Sequence, residues 1–261
     1  MRVRWVSVMR THTTLVINPK GGSGKTTVAT NLASYFAANQ VATTLMDYDP
    51  QGSSLNWLRQ RPMHLTRIHP ANAAPAKPGR MRSMDMRVPE DTRQLVIDAP
   101  AGASGLLLQE MLSRTNCILI PVAPSSIDIH ATANFIRDLL LAGRIRANNI
   151  RLAVVANRVR KAVPVYQPLE RFLNSLNLPL VARLGDSDVY VSAAETGFGV
   201  FEMDFVASAT ERQQFMPIAE WVDSPKLIVD PKVPSLLPFH PAISVPGRSG
   251  LRVVTKGFPA P

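Results

Sequence analysis

The chain has 261 residues, 46% of them hydrophobic, and a formal net charge of +10. That composition describes a globular protein able to bury a core, with length for one large α/β domain or two small ones. Its single cysteine, Cys117, excludes a disulfide framework and any multi-thiolate zinc or iron–sulfur site within one chain.

No apolar run approaches the roughly 20 residues that span a bilayer. Met1 to Thr14 carries Arg2, Arg4 and Arg10 without a long apolar stretch, so a secretory signal is not expected and a reducing cytoplasm is. The charge is unevenly placed. Residues 137–183 carry nine basic groups against two acidic ones, whereas 184–222 net −6. An excess of that kind points to a polyanionic partner.

Leu15-Val16-Ile17 reads as a buried strand, and Lys25 to about Ala38 as a helix. A second strand covers Val41 to Met46, and a short helix Ser53 to Arg61. Residues 62–93, rich in Pro, Arg and Met, read as an irregular or edge insertion with a weak strand near Leu65 to Ile68. Strands follow at Leu95–Ile97, Cys117–Pro121 and Leu152–Ala156, with an amphipathic helix from Ser126 to Ala142 closed by Gly143. A helix (Tyr166–Leu176), a strand (Val181–Leu184) and a helix (Ala207–Trp221) complete the series. Such alternation predicts an α/β fold with a doubly wound, mostly parallel sheet. Eight of the 22 prolines lie in 225–261, so residues 223–261 read as a flexible tail, 1–12 as an extension and 13–222 as the domain.

Between the first strand and the first helix stands Lys20-Gly21-Gly22-Ser23-Gly24-Lys25-Thr26-Thr27. Glycines there let backbone N–H groups cradle phosphates, and the helix N-terminus adds a favourable dipole. Lys25 can reach the β/γ-phosphates and the Thr26 hydroxyl can serve Mg²⁺. Two carboxylate motifs follow strands: Asp47-Tyr48-Asp49-Pro50-Gln51-Gly52, and Asp98 after Leu95-Val96-Ile97. Ligands in open α/β sheets bind beyond the carboxyl ends of the strands, so these acids can face a nucleotide. Asp49 before Pro50 also suits a plain turn.

The loop with its extra Lys20 resembles the deviant Walker A motif, KGGxGKT, of the ParA/MinD family of ATPases. The resemblance runs through most of residues 13–221. It implies a P-loop NTPase fold, ATP and Mg²⁺ as ligands, and slow, partner-stimulated hydrolysis. By the same resemblance Lys20 would reach the nucleotide of a second subunit, making the ATP-bound state a homodimer. Asp49 would orient the attacking water, and Asp47 and Asp98 would hold hydrated Mg²⁺. Asn157, ending a strand, would contact adenine or simply cap the strand. The guanine-reading N-K-x-D pattern fails because position 160 is Arg.

ParA-like relatives bind DNA without sequence preference to place plasmid, chromosome or protein cargo through a ParB-like adaptor. That would make this chain cytoplasmic and nucleoid-associated. Arg144, Arg146, Arg151, Arg160, Lys161 and Arg183 are the candidate phosphate contacts, with ordinary exposed charge as the alternative for each. A MinD-like membrane-surface or scaffold ATPase with little DNA binding is the competing expectation. The broken, Pro-rich tail disfavours the amphipathic helix that a membrane-surface protein would need.

Overall fold

The computed structural model describes residues 11–75, 81–141, 144–160 and 167–224. The expected extension up to residue 10, the tail from 225 onward, Gly143 and Lys161 lie outside the described residues. Within them the strands are β1 (His12–Val16), β2 (Thr43–Asp47), β3 (Ile68–Asn72), β4 (Gln94–Asp98), β5 (Cys117–Val122), β6 (Arg151–Val159) and β7 (Leu180–Gly185). They form one sheet in the order β3-β2-β4-β1-β5-β6-β7, and every pairing is parallel. Central strands read as unbroken apolar runs because a parallel sheet is covered on both faces. β2 and β5 are buried at every position.

One face carries α1 (Lys25–Ala38), α2 (Ser53–Gln60), α8 (Asp188–Thr196) and α9 (Ala209–Asp223). Its core joins Val28, Leu32 and Phe36 to Trp57, Tyr190, Phe215 and Ile218. The other face carries α4 (Gly105–Ser113), α5 (Ser126–Leu141), α6 (Arg144–Ala147) and α7 (Gln167–Ser175). There Met111, Ile129, Ile136, Leu140, Ile145, Leu169 and Leu173 pack on Ile97, Ile118 and Val154. A single-turn α3 (Arg82–Asp85) lies in the β3–β4 connection.

The registers level the strand ends that matter. Val16 of β1 and Asp47 of β2 both stand opposite Asp98 of β4. From the adjacent strands β1 and β4 the chain leaves in opposite directions, β1 to β2 on one side and β4 to β5 on the other, which opens a crevice at their carboxyl ends. The expected weak strand at 65–68 is instead β3, three residues further on and at the sheet edge. Pro70 is tolerated within it because an edge strand has one side without a ladder partner. The α4 helix was not anticipated. It opens at Gly105 with Leu106 exposed, and an apolar cluster at 106–108 gives a weak periodic signal.

Candidate phosphate and magnesium site

The loop after β1 is pinned from below. Asn18 is buried and its Nδ2 donates to the Pro121 carbonyl (2.8 Å) and to Thr132 Oγ1 (3.0 Å). Its Oδ1 accepts from the Lys20 amide at 2.8 Å. Gly21 and Gly22 are exposed, and nothing stands within 4 Å of where their Cβ atoms would be. Gly24, at φ +93°, is the opposite case, since a Cβ there would meet Asn157 Nδ2 at 1.8 Å. Asn157 is buried and donates from that nitrogen to the Ser23 carbonyl at 3.0 Å. Asn157, for which both an adenine contact and a plain strand cap were expected, here props the loop from beneath.

Lys25 Nζ donates to the Lys20 carbonyl at 2.9 Å, folded back across the cradle. Burial lowers its pKa, against the opposing charges of Asp98 and Asp49. No acid occupies the first turn of α1, so its N-terminal dipole is left for a ligand anion. Lys20 is half-buried at the loop's entrance, and its carbonyl also accepts from Ser23 Oγ at 3.3 Å.

Beside the loop stand the carboxylates. Thr26 Oγ1 donates to Asp98 Oδ2 at 2.8 Å, and Ser54 Oγ donates to the same oxygen. Asp98 Oδ1 is buried with no partner. Burial pushes the Asp98 carboxyl up to about 7, although the Ser54 and Thr26 hydroxyls and Lys25 act against it. An orphaned carboxylate oxygen next to a threonine hydroxyl fits a hydrated Mg²⁺, which keeps several waters and needs few protein ligands.

Asp47 stands opposite Asp98 at the strand ends, where an outer-sphere Mg²⁺ contact was expected. It is fully buried, and its oxygens accept from the backbone N–H groups of Asp49 (2.9 Å), Ser54 (3.1 Å) and Leu55 (3.3 Å). It shapes the turn and caps α2. Burial still raises its pKa despite those bonds. Asp49 is half-exposed and closes an Asx turn by accepting from the Gln51 amide at 2.9 Å. The turn reading and a water-facing position coexist, because only Oδ1 makes that bond. Sequence reasoning missed Ser54, which is marked only by its place at the start of α2, and Asn18, which directly follows the apolar run of β1.

Residues 14–197 match the CobQ/CobB/MinD/ParA nucleotide binding domain. The chain belongs to this family. Among curated relatives, the maintenance of carboxysome distribution protein A of Halothiobacillus neapolitanus is 24% identical over 196 residues, which is 73% of this chain and 87% of the relative. The chromosome partitioning protein ParA of Myxococcus xanthus is 29% identical over 143 residues, 41% of this chain and 50% of the relative. Among solved structures, the ATP complex of Cyanothece McdA(D38A) superposes with a TM-score of 0.62 at 13% identity, covering 84% of this chain and 98% of that one. The Mg-ADP complex of the septum site-determining protein MinD of Pyrococcus horikoshii gives 0.60 at 18% identity, covering 82% and 97%. Those structural likenesses establish the ParA/MinD fold.

For a ParA/MinD-family chain, the basic residues are less available than their number suggested. Arg151 donates to the carbonyls of Trp221 (2.8 Å) and Val222 (2.8 Å) and to Ser224 Oγ (3.0 Å), and lies 4.5 Å over the Trp221 ring. It terminates α9, so its assignment to DNA is corrected. Arg160 pairs with Asp186 at 3.0 Å, and Arg183 pairs with Glu170. Both are exposed, but each is partnered by an acid. The side chains of Arg144 and Arg146 lie outside the described residues. Cys117 is buried, Thr14 Oγ1 lies 3.3 Å from its sulfur, and burial pushes the thiol up to about 11, so it is an inert core residue. No helix of the described residues is long and apolar enough to cross a membrane.

Proposed function

We propose that this chain is a slow, Mg²⁺-dependent ATP hydrolase that dimerises on ATP and positions a cargo. The observation that carries the reading is the open Gly21-Gly22 cradle with Lys25, Thr26 and the orphaned Asp98 oxygen on one rim and Asp49 beside it. The family match and relatives named for carboxysome distribution and chromosome partitioning support it.

In this reading the backbone amides of the loop bind the triphosphate, and Lys25 leaves the Lys20 carbonyl for phosphate oxygens. Thr26 and Asp98 hold Mg²⁺, which when bound neutralises charge developing on the β- and γ-phosphates. Asp49, through its outward oxygen, orients the attacking water. Lys20 of each subunit completes the site of the other, an electrostatic contribution of the arginine-finger kind. Turnover is slow because the site is complete only in the dimer, and an adaptor protein accelerates it. Asn157 supports the loop.

Non-specific DNA is the proposed surface on which the dimer moves, with Arg144, Arg146 and Lys161 its remaining candidate contacts. A second reading is favoured by one observation: Arg151, Arg160 and Arg183 are engaged internally. It keeps the ATPase and replaces DNA with a membrane surface or a protein scaffold. Hydrolysis and retention on non-specific duplex DNA, measured with ATP and with ADP across a salt series, separate the two. Retention that needs ATP and weakens steeply with salt supports DNA. Hydrolysis without retention at any salt supports the second reading. Intact ATP binding with no turnover, with or without DNA, removes the hydrolase.

A further inference from the structure

Tyr48 sits between the two aspartates of the DxD turn and is fully buried. Its amide donates to the Asp98 carbonyl at 3.0 Å, tying the turn to the end of β4. Its hydroxyl donates to Glu110 Oε1 at 3.0 Å. Glu110 lies on α4, the helix entered directly from the Ala99–Ser104 segment that follows Asp98. Arg82 of α3 grips both Glu110 oxygens, at 2.9 and 3.1 Å, and donates to the Ala73 carbonyl at 2.7 and 2.9 Å. Its guanidinium lies 5.5 Å from the Tyr48 ring centroid. Ala73 in turn donates its amide to the Asp47 carbonyl at 2.8 Å.

The bonds thus form a closed circuit. It runs from the Asp49 turn through Tyr48 to α4, from Glu110 to Arg82, and back through Ala73 to Asp47. None of these side chains touches the phosphate cradle. The circuit joins two loops that reach the nucleotide site from different strands, and it does so with charge-assisted bonds on half-buried groups.

We propose that Tyr48, Glu110 and Arg82 are positioning residues that hold the Asp49 turn in register with the segment after Asp98. This inference rests on the reading of Asp49 as the water-orienting group. Loss of the Tyr48 hydroxyl leaves the ring and its cation–π contact, so Tyr48→Phe removes one tie and little packing. Arg82→Met removes the grip on Glu110 and Ala73 together.

Two measurements test the proposal. In the nucleotide-free protein, hydrogen exchange over residues 49–55 rises in both variants. In single-turnover assays the hydrolysis rate falls roughly tenfold, the scale of one lost charge-assisted bond, while ATP affinity stays within about threefold. In an Asp49→Asn background Tyr48→Phe produces no further fall, whereas a merely structural role would lower affinity and stability in both backgrounds. Glu110→Gln keeps an acceptor for Tyr48 and gives a smaller loss than Arg82→Met. Unchanged exchange over 49–55 in both Tyr48→Phe and Arg82→Met overturns the inference, whatever the turnover. A wild-type chain that binds ATP without hydrolysing it overturns the hydrolase reading instead, and the exchange experiment still decides the positioning role.

Discussion

Replacing Asn157 with Ala separates two jobs that a strand-ending asparagine can perform. In the structure its Nδ2 donates to the Ser23 carbonyl at 3.0 Å and fills the space that a side chain on Gly24 would need. Truncation leaves the Ser23 carbonyl without that donor in a buried position, at a cost of about 1–3 kcal/mol. If that cost falls on the ordered loop that grips phosphate, affinity drops roughly 5- to 150-fold. The lost contact is to the loop and not to a base, so the drop is shared by every ligand that fills the cradle. Titration calorimetry with ATP, GTP and inorganic tripolyphosphate reads this directly. The strut predicts that Asn157→Ala weakens ATP and tripolyphosphate by the same factor and leaves the ratio of ATP to GTP affinity unchanged. Unaltered tripolyphosphate binding alongside weakened ATP binding would refute the strut and return Asn157 to the base.

Further outcomes follow from other parts of the molecule. Lys20→Ala leaves monomeric ATP binding intact and blocks ATP-driven dimerisation, seen by analytical ultracentrifugation; an ATP-dependent dimer in that variant sinks the cross-subunit role. Arg61 and Glu202 form a buried ion pair, with side chains only 6% and 4% exposed, and Arg61 also donates to the Thr66 and Gly197 carbonyls. Arg61→Met leaves the buried Glu202 carboxylate with the Gly199 amide but without its cation and lowers unfolding stability by about 3–5 kcal/mol in urea titration, and Arg61→Met with Glu202→Gln costs less than the single change. The Asp98 carboxyl, moved from its ordinary 3.8 to about 7, binds its proton more tightly when folded. Its contribution to stability is therefore fully present below the lower value and is lost as pH rises toward the upper one. Wild type should lose stability relative to Asp98→Asn across that window, while Mg-ATP affinity rises as the carboxylate forms. A flat difference between the two proteins contradicts the shift.

Glycine spacing, Lys20, Lys25 and the two acids after apolar runs were legible in the sequence because their chemistry is local. A cradle of backbone amides needs Gly21, Gly22 and Gly24 in one short stretch, and a strand ending in Asp announces itself by hydropathy alone. The alternation of β and α elements followed for the same reason, and it carried the parallel sheet with it. What the string of letters left open are properties of pairs far apart in the chain. Asn157 stands 134 residues from Ser23, and only the sheet order brings β6 under the phosphate loop. Asp47 looks like a ligand in sequence, yet the turn into α2 folds three backbone amides onto it. Arg151 counts as +1 in any charge census. Its guanidinium is nevertheless taken up at the end of α9, about seventy residues on, where buried carbonyls require donors. Net charge belongs to the sequence, but the share of it that faces a partner is decided by the contacts the fold makes first.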